Sequence, residues 1–331
     1  MDLIYLGTTT LQVTRIGLGL AALGRPGYIN LGHDEDLGDD KSIASLRSHA
    51  EEVLDAAYQQ GVRYFDAARS YGRAEVFLGG WLNSRGLRPG DVSVGSKWGY
   101  TYTAGWQVDV DVHEVKEHSL AVLQRQWGET YANLGDFLGL YQIHSATLES
   151  GVLDNRPVLE ELQRMKETGI ALGLSVSGAH QDEVIAKALT IKSEGDLLFD
   201  CVQATWNLLE TSAGPALAQA YDAGMGVIIK EALANGRLTP KAEDVEAAGL
   251  YQILLEQALR LETSIDGLAL AAVLAQPWVH VALSGAARTE HLLSNLQALN
   301  VVWDAEAEQA LAELAEDPEA YWRHRSQLAW N

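Results

Sequence analysis

The sequence contains little cysteine, little proline and few basic residues. Cys201 is the single cysteine among 331 residues, which excludes an internal disulfide framework and any multi-cysteine metal site. Only 7 prolines are present, and no Gly/Ser-rich or Ser/Pro-rich linker separates two halves of the chain. We therefore predict a single domain spanning residues 1–331, in a reducing, cytoplasmic environment.

Basic residues are outnumbered, with 24 Lys and Arg against 45 Asp and Glu and a formal net charge of −21. Nucleic acids and anionic membrane surfaces require a basic face, so neither is an expected partner. The most apolar segment, 268–287, is interrupted by Gln276, Pro277 and His280 and predicts no membrane span. The N-terminal residues 1–5 lack the basic and long apolar stretches of a signal peptide.

A pattern of helix, glycine and strand recurs along the chain. Apolar residues at helical spacing over 50–58 predict an amphipathic helix, which Gly61 ends, and residues 62–66 predict a strand. The same pattern returns over 158–176 and 216–230. Further strands are predicted at 14–19, 92–97, 137–144, 198–205 and 279–284. Eight strands in this chain give roughly 41 residues per unit, enough for a strand, a helix and two loops.

Alternating strands and helices predict a parallel sheet covered by helices, either doubly wound or closed into a barrel. A dinucleotide-binding doubly wound fold carries Gly-x-Gly-x-x-Gly, but the segment 17–22 (Gly-Leu-Gly-Leu-Ala-Ala) lacks the third glycine. Eight units therefore favour an α/β fold of the (β/α)8 TIM-barrel type. Residues 3–13 predict a β-hairpin that closes the bottom of the barrel, and 24–41 predict a long functional loop.

In such a barrel the functional residues follow the carboxyl ends of the strands. Asp66, Lys97 and His144 stand at three consecutive strand ends, and Tyr71 follows the first of them closely. A tyrosine with a pKa near ~10 is a weak proton donor, which a neighbouring ammonium improves by stabilising the phenolate. A carboxylate holds the ammonium, and a histidine can bond the substrate oxygen. This set suits protonation of a carbonyl oxygen as hydride reaches its carbon.

These residues lie in segments that resemble the motif blocks of the aldo-keto reductases, namely Phe65-Asp66-Ala67-Ala68, Ser70-Tyr71-Gly72, Ser96-Lys97-Trp98-Gly99 and Tyr141-Gln142-Ile143-His144. The resemblance extends to residues 5–7, 166–175 and 284–295, and so runs nearly end to end. It implies that Tyr71 is the general acid, Lys97 its pKa modulator, Asp66 the partner of Lys97, and His144 the substrate-orienting group.

The resemblance also implies a nicotinamide cofactor. Ser175 and Gln203 would hold its carboxamide, Trp206 would stack on its ring, and residues 230–238, where Glu231 adds a negative charge, would approach the pyrophosphate. Arg288 at a helix start would bind the adenosine phosphate, with NADP(H) preferred and NAD(H) possible. The expected cofactor-binding residues are Gly19, Leu20, Asp66, Ser175, Gln203, Trp206, Lys230, Leu233, Asn235, Gly236, Leu238, Gly285, Ala286, Arg288, His291 and Asn295.

Several points stay open in the sequence. Tyr28, Trp98 and Trp106 either line a substrate pocket or close loops over the barrel, while His118 and His180 are expected at the surface. Acidic and histidine residues occur in pairs without a third ligand, so no metal site is predicted.

The predicted function is carbonyl–alcohol interconversion on a small molecule by an NADP(H)-dependent oxidoreductase, as a monomer or small homo-oligomer. The alternatives are a cofactor-sensing regulatory subunit of a larger assembly, and an isomerase or lyase that uses Lys97 as a Schiff-base amine.

Overall fold

Eight parallel strands close into a barrel in the computed structural model, which describes residues 1–244 and 248–331. Each neighbours the next in chain order, and the eighth pairs with the first. The predicted (β/α)8 TIM barrel is confirmed. The strands are β1 (Ile16–Gly19), β2 (Tyr64–Asp66), β3 (Ser93–Trp98), β4 (Leu138–Ala146), β5 (Ala171–Val176), β6 (Cys201–Thr205), β7 (Gly226–Lys230) and β8 (Val281–Ser284).

Helices cover the outside of the barrel. They are α1 (His33–Leu37), α2 (Ile43–Gln59), α3 (Ala74–Ser84), α4 (Leu120–Leu134), α5 (Arg156–Glu167), α6 (Gln181–Ala188), α7 (Gly214–Asp222), α8 (Ala248–Arg260), α9 (Ile265–Leu274), α10 (Thr289–Leu296), α11 (Ala305–Leu311) and α12 (Pro318–Ser326). Ser42, Ser119 and Ser264 cap α2, α4 and α9 by accepting a backbone N–H bond. Within the described residues, no helix is long and apolar enough to cross a membrane.

Helix α1 lies inside the segment 24–41, which the sequence suggests is a loop. It is only five residues long, and three acidic residues fill its first turn, so its sequence lacks the apolar spacing of a longer helix. Outside the barrel, two short antiparallel pairs extend from the loops, Tyr100–Tyr102 with Glu114–Lys116 and Lys192–Ser193 with Asp196–Leu197.

The N-terminal hairpin covers the amino ends of the barrel strands, as predicted. Ile4–Tyr5 pairs with Gln12–Val13, and Leu6 between them is fully buried. Ser93, the first residue of β3, donates a hydrogen bond to the Gln12 carbonyl at 2.8 Å. Gly7 has a φ of 59°, and a Cβ there would lie 2.3 Å from the Gly226 nitrogen at the start of β7. The hairpin therefore fits so closely that only glycine is accommodated at position 7.

Two glycines on the neighbouring helices α3 and α4 differ in the space available for a side chain. A Cβ on Gly79 of α3 would lie 2.0 Å from the Asn133 carbonyl oxygen of α4, whereas one on Gly128 of α4 would meet nothing within 4 Å. We expect Gly79→Ala to destabilise the fold by about 1–3 kcal/mol through overpacking. Gly128→Ala, the control, should stabilise it by about 0.5–1 kcal/mol through helix propensity. Urea unfolding measures both changes, and equal effects at the two positions would contradict this packing.

Candidate active site

The carboxyl ends of the strands open into a cavity of about 510 Å³. Asp66 from β2, His144 from β4 and Gln203 from β6 line its inner end, together with Tyr71 from the turn after β2. Parallel strands place their carboxyl ends at one face of a barrel, so residues far apart in sequence meet there. The structure therefore brings three of the four predicted catalytic residues, Asp66, Tyr71 and His144, to one cavity, and Lys97 is buried behind Asp66.

An ion pair between Lys97 and Asp66 forms the floor of this site. Lys97 is fully buried, and its Nζ donates to Asp66 Oδ1 and, at 3.1 Å, to the Ala67 carbonyl. The other carboxylate oxygen accepts from the Tyr64 hydroxyl at 3.1 Å and from Gln203 Nε2 at 2.9 Å. These bonds compensate for the removal of both charges from water, which would otherwise cost several kcal/mol per ion.

Tyr71 lies above this pair and beside His144. Its ring centroid is 5.0 Å from Lys97 Nζ and 5.4 Å from the imidazole centroid. From the sequence, Lys97 is expected to lower the pKa of Tyr71. In the structure, burial and then the charge of Asp66 raise the pKa of Tyr71 well above its ordinary value. The phenol is therefore protonated at neutral pH and holds a proton that it can donate.

His144 is neutral in this setting. Burial, followed by the charge of Lys97, lowers the pKa of its imidazole well below the ordinary value near ~6.5. Its Nδ1 lies 3.4 Å from Ser70 Oγ, and the Tyr100 ring lies 4.9 Å away between centroids. A neutral imidazole offers one N–H donor and one acceptor, so it can bond a substrate oxygen without adding charge.

Two aromatic residues near the end of β3, His118 and Trp98, pack against each other. His118, expected at the surface, is buried, and its Nε2 lies 2.9 Å from the His144 carbonyl oxygen. Gly99 admits this ring, because a Cβ there would lie 2.2 Å from it. The ring packs edge-on against Trp98 at 5.5 Å, so Trp98 is fully buried and does not line the cavity. His180 is exposed, as expected.

Of the other two residues considered for a substrate pocket, Tyr28 lines the cavity. Trp106 does not, because its Nε1 donates to the Lys41 carbonyl at 2.8 Å and its ring packs edge-on against Phe77 at 6.2 Å. Of the two interpretations left open for Trp106, the structure therefore favours the one in which it closes loops.

Most of the expected cofactor-binding residues line the cavity, but five do not. The lining set is Gly19, Asp66, Gln203, Lys230, Leu233, Asn235, Gly236, Gly285, Ala286, His291 and Asn295. Leu20 and Leu238 are fully buried among apolar residues. Ser175 is also fully buried, and its hydroxyl accepts from the Ser145 N–H at 2.8 Å. Arg288 is 47% exposed and lies 3.7 Å from Glu290.

Trp206, expected to stack on a nicotinamide ring, lies outside the cavity. Thr205, the last residue of β6, faces the cavity side, since its Oγ1 accepts from Lys230 Nζ at 2.7 Å. Successive side chains of a strand point to opposite sides, so Trp206 points toward the helices. There it packs edge-on against Trp278 at 5.7 Å, in a separate groove between α7 and α9.

The charge of Glu231 is neutralised by the C-terminal helix. Arg325 of α12 forms an ion pair with this buried carboxylate, and Lys230 lies 3.8 Å away. Burial opposes ionisation, but Arg325 and Lys230 lower the pKa of Glu231 to about 2. Burial lowers the pKa of Lys230 to about 8. Two cations therefore accompany one anion here, which leaves a net positive charge for an anionic ligand.

Several cavity residues carry no signal in the sequence. The C-terminal residues Arg325 and Trp330 line the cavity, as do Glu114 and Arg25 near Tyr71. The backbones of Tyr28 and Asn331 exchange two hydrogen bonds, at 3.0 and 3.2 Å, which hold the end of the chain over the cavity. Asp36, Lys241 and Asp266 lie at its other end. The loop prediction over 24–41 is the one sequence feature that indicates part of this set.

A sequence model of the aldo/keto reductase family matches residues 15–316, which include all eight barrel strands. The chain belongs to the aldo-keto reductase family. The resemblance noted in the sequence is thereby confirmed. Because this family is one of oxidoreductases that use nicotinamide cofactors, this chain is an aldo-keto reductase in fold and in enzyme class.

Curated relatives are distant but extend over much of the chain. The uncharacterized oxidoreductase YqkF of Bacillus subtilis is 24% identical over 97% of this chain and 98% of its own length. Pyridoxal 4-dehydrogenase of Microbacterium luteolum is 26% identical over 70% of this chain and 71% of its own. Among solved structures, an aldo-keto reductase from Bacillus halodurans in its holo form gives a TM-score of 0.72 at 21% identity, covering 96% of this chain and 97% of that one. This last likeness supports the fold alone.

His33, the first residue of α1, allows burial to be tested through the pH dependence of stability. It is fully buried, neither ring nitrogen has a hydrogen-bond partner among the described residues, and burial followed by nearby cations lowers its pKa to about 3. Unfolded histidine takes up its proton near pH ~6.5, so acid favours the unfolded chain. The contribution of His33 should therefore be full above about pH 6.5 and be lost toward pH 3, by up to ~1.4 kcal/mol per pH unit.

We expect His33→Phe to remove this loss and so reduce the slope of the stability profile between about pH 6.5 and 4, while buried histidines such as His144 keep their own share of it. Urea unfolding at a series of pH values measures it. The exposed His180→Gln is the control and should leave the profile unchanged. An unchanged slope in His33→Phe would show that the imidazole is not held neutral by burial.

Proposed function

We propose that this protein is an NADP(H)-dependent oxidoreductase that interconverts aldehydes or ketones with alcohols, using Tyr71 as general acid and base. The observation that carries the proposal is the position of the Tyr71 phenol at the inner end of the cavity. It lies beside the neutral imidazole of His144 and above the buried Lys97–Asp66 pair. This supplies a proton donor, an orienting group and a cation in one place.

The cavity suits a nicotinamide dinucleotide. Gln203 Oε1 at its inner end is buried and has no hydrogen-bond partner among the described residues, so it offers an acceptor to a carboxamide. At the other end, a Cβ on Gly285 would meet nothing within 4 Å, and helix α10 begins four residues later. Backbone N–H groups at a helix start favour a phosphate. Lys230 and Arg325 between these ends favour the pyrophosphate.

When bound, the nicotinamide would deliver hydride to the carbonyl carbon, or accept it from the alcohol. The chain's own part is to handle the proton. His144 orients the substrate oxygen, and Tyr71 gives its phenolic proton to that oxygen as negative charge develops on it. Lys97 stabilises the resulting phenolate, and Asp66 keeps Lys97 in place. In alcohol oxidation the proton returns to Tyr71 by the same path.

Burial makes these electrostatic interactions effective. Asp66 and Lys97 are almost completely inaccessible to solvent, and His144 is 9% exposed. Charges screened little by water interact more strongly, and fixed groups need no reorganisation as the substrate changes charge. The catalytic set is therefore suited to stabilise a transition state in which the oxygen becomes anionic.

Removal of the Tyr71 hydroxyl tests the assignment of the acid. We expect Tyr71→Phe to lower kcat by about 10²–10⁴-fold, the range typical of a general acid. Cofactor affinity should stay near that of the wild type, because the hydroxyl acts mainly in the transition state. Steady-state assays over a panel of aldehydes and ketones measure kcat, and quenching of protein fluorescence measures cofactor binding.

Tyr131→Phe is a matched control, since this tyrosine is 49% exposed and bonds Asp136 on the outside of the barrel. It should retain full activity. A Tyr71→Phe enzyme with near wild-type kcat would refute the role of Tyr71. Absence of both nicotinamide binding and turnover in the wild-type protein would refute the proposed function as a whole.

We propose that Arg288 gives the preference for NADP(H). It precedes the first residue of α10, where its guanidinium can meet the adenosine 2′-phosphate together with the helix N-terminus. Its charged contact with Glu290 at 3.7 Å is exposed to solvent and so holds it weakly. His291, one turn into α10, lines the cavity and can add a contact when protonated.

Arg288→Ala should weaken NADP(H) binding by roughly 10- to 150-fold, the value of one charge-assisted contact. NAD(H) binding should change little, because NAD(H) lacks the 2′-phosphate. Glu290→Gln is the matched variant, and it should leave NAD(H) affinity unchanged while strengthening NADP(H) binding. Fluorescence titration of both cofactors decides the matter, since equal losses for the two in Arg288→Ala would show that Arg288 does not contact the 2′-phosphate.

A further inference from the structure

A second buried ion pair lies next to Tyr71. Arg25, in the loop after β1, is 2% exposed, and its guanidinium carbon lies 5.3 Å from the centroid of the Tyr71 ring. Its Nη1 donates to Glu114 Oε2 at 2.9 Å and to the Ser70 carbonyl at 3.1 Å. Tyr71 is therefore flanked by two ion pairs, Arg25–Glu114 and Lys97–Asp66, and the catalytic scheme above uses one of them.

Aromatic rings fix the position of the Arg25 guanidinium. Its carbon lies 5.0 Å from the Tyr28 centroid and 4.8 Å from that of Trp330. Trp330 in turn is stacked on His113, with centroids 4.0 Å apart and planes 7° apart. Cations over ring faces are held electrostatically, more strongly when desolvated. The guanidinium is thus enclosed by aromatic groups and shielded from solvent ions.

The protein does not use all of the hydrogen-bonding capacity of this guanidinium. Arg25 Nε is buried and has no hydrogen-bond partner among the described residues. A buried donor without a partner is costly, and such sites call for an explanation in native proteins. Packing alone would be served by an uncharged side chain of similar length, so the retained charge points to an electrostatic role.

We propose that Arg25 is a positioning residue for Tyr71, whose fixed charge favours the phenolate that forms when Tyr71 releases its proton. This inference depends on the proposed function, in which Tyr71 is the acid and base. Glu114 orients the guanidinium and partly offsets its charge. The Arg25–Glu114 pair therefore adjusts the proton affinity of Tyr71 in addition to the Lys97–Asp66 pair.

The two members of the pair act on Tyr71 with opposite sign. The charge of Arg25 lowers the pKa of Tyr71, against the larger raising effects of burial and Asp66, and the charge of Glu114 raises it. Because the two effects have opposite sign, substitutions of Arg25 and Glu114 should shift the pKa of Tyr71 in opposite directions. The charged and titratable groups that face Tyr71 are Arg25, Tyr28, Tyr64, Asp66, Lys97, Glu114, His144 and Glu231.

The pH dependence of alcohol oxidation measures the effect, because oxidation requires the deprotonated Tyr71. Arg25→Met should move the limb that rises with pH to higher pH, and Glu114→Gln, which keeps the acceptor oxygen, should move it to lower pH. Each shift should be roughly one pH unit, or tenfold in rate at fixed pH, for a charge at this distance. Arg25→Lys, which keeps a positive charge, should shift the rising limb less than Arg25→Met does.

Arg73→Met is the matched control, since Arg73 is two residues from Tyr71 but lies over Trp106, outside the cavity. It should leave the profile unchanged. A purely structural role for Arg25 would lower kcat in both Arg25→Met and Glu114→Gln without opposite shifts of the profile, and that result would overturn the proposal. So would a rise in KM confined to carboxylate-bearing substrates, which would make Arg25 a substrate ligand instead.

A second measurement is independent of turnover. Trifluorotyrosine, placed at position 71 by amber suppression, has a more acidic phenol that can be titrated by fluorine NMR. Its midpoint should rise in the Arg25→Met background, fall in Glu114→Gln and stay constant in Arg73→Met. These shifts in a protein without carbonyl reductase activity would refute the proposed function but keep the coupling of Arg25 to Tyr71. Constant midpoints in an active enzyme would refute the coupling alone.

Discussion

Lys97 carries a charge at a position with no exposed surface, and the active-site end of the barrel is arranged around that charge. Asp66 neutralises it, and Tyr64 and Gln203 complete the hydrogen bonds of the carboxylate. These residues come from β2, β3 and β6, so the Asp66 carboxylate has all of these partners only when β6 lies across the barrel from β2 and β3. Loss of either charge would leave the other buried and uncompensated, which is far more costly than an exposed break. Under the proposed function, fold and chemistry therefore depend on the same pair.

The other charges of the cavity follow the same rule of pairing. Asp36 bonds Lys241 at 2.8 Å, Glu114 bonds Arg25, and Glu231 bonds Arg325. Each pair joins segments that are distant in sequence, and Arg325 brings the C-terminal helix to the end of β7. At the end of the cavity near α10, Asn295 has its amide placed to donate to Asp266 at 2.8 Å and accept from Ser284 at 2.8 Å. The cavity is thus polar but has few uncompensated charges.

Part of this site could be predicted from the sequence, and the reason is geometric. Asp66 is the last residue of β2, and Lys97 and His144 lie within two residues of the ends of β3 and β4, so their place at the barrel face is set by local sequence once the strands are recognised. The positions of Arg25, Glu114 and Trp330 depend on how three loops fold over one another. The hydrophobic periodicity of the sequence does not indicate that arrangement. The expectation that Trp206 faces the cavity was wrong. Successive side chains along a strand point to opposite sides, so a shift of one position past the strand end turns the side chain away from the cavity.

The paired charges also explain how an acidic chain can hold an anionic cofactor under the proposed function. A net charge of −21 repels a dinucleotide at long range, but the Debye length of about 8 Å at physiological salt screens most of that surface charge. Inside the cavity screening is weak, so local balance decides. There Glu231 is already neutralised by Arg325, and Lys230 adds a cation beyond that pair. The excess negative charge lies on the outside of the barrel, where water and counterions screen it. The charges in the cavity nearly balance one another.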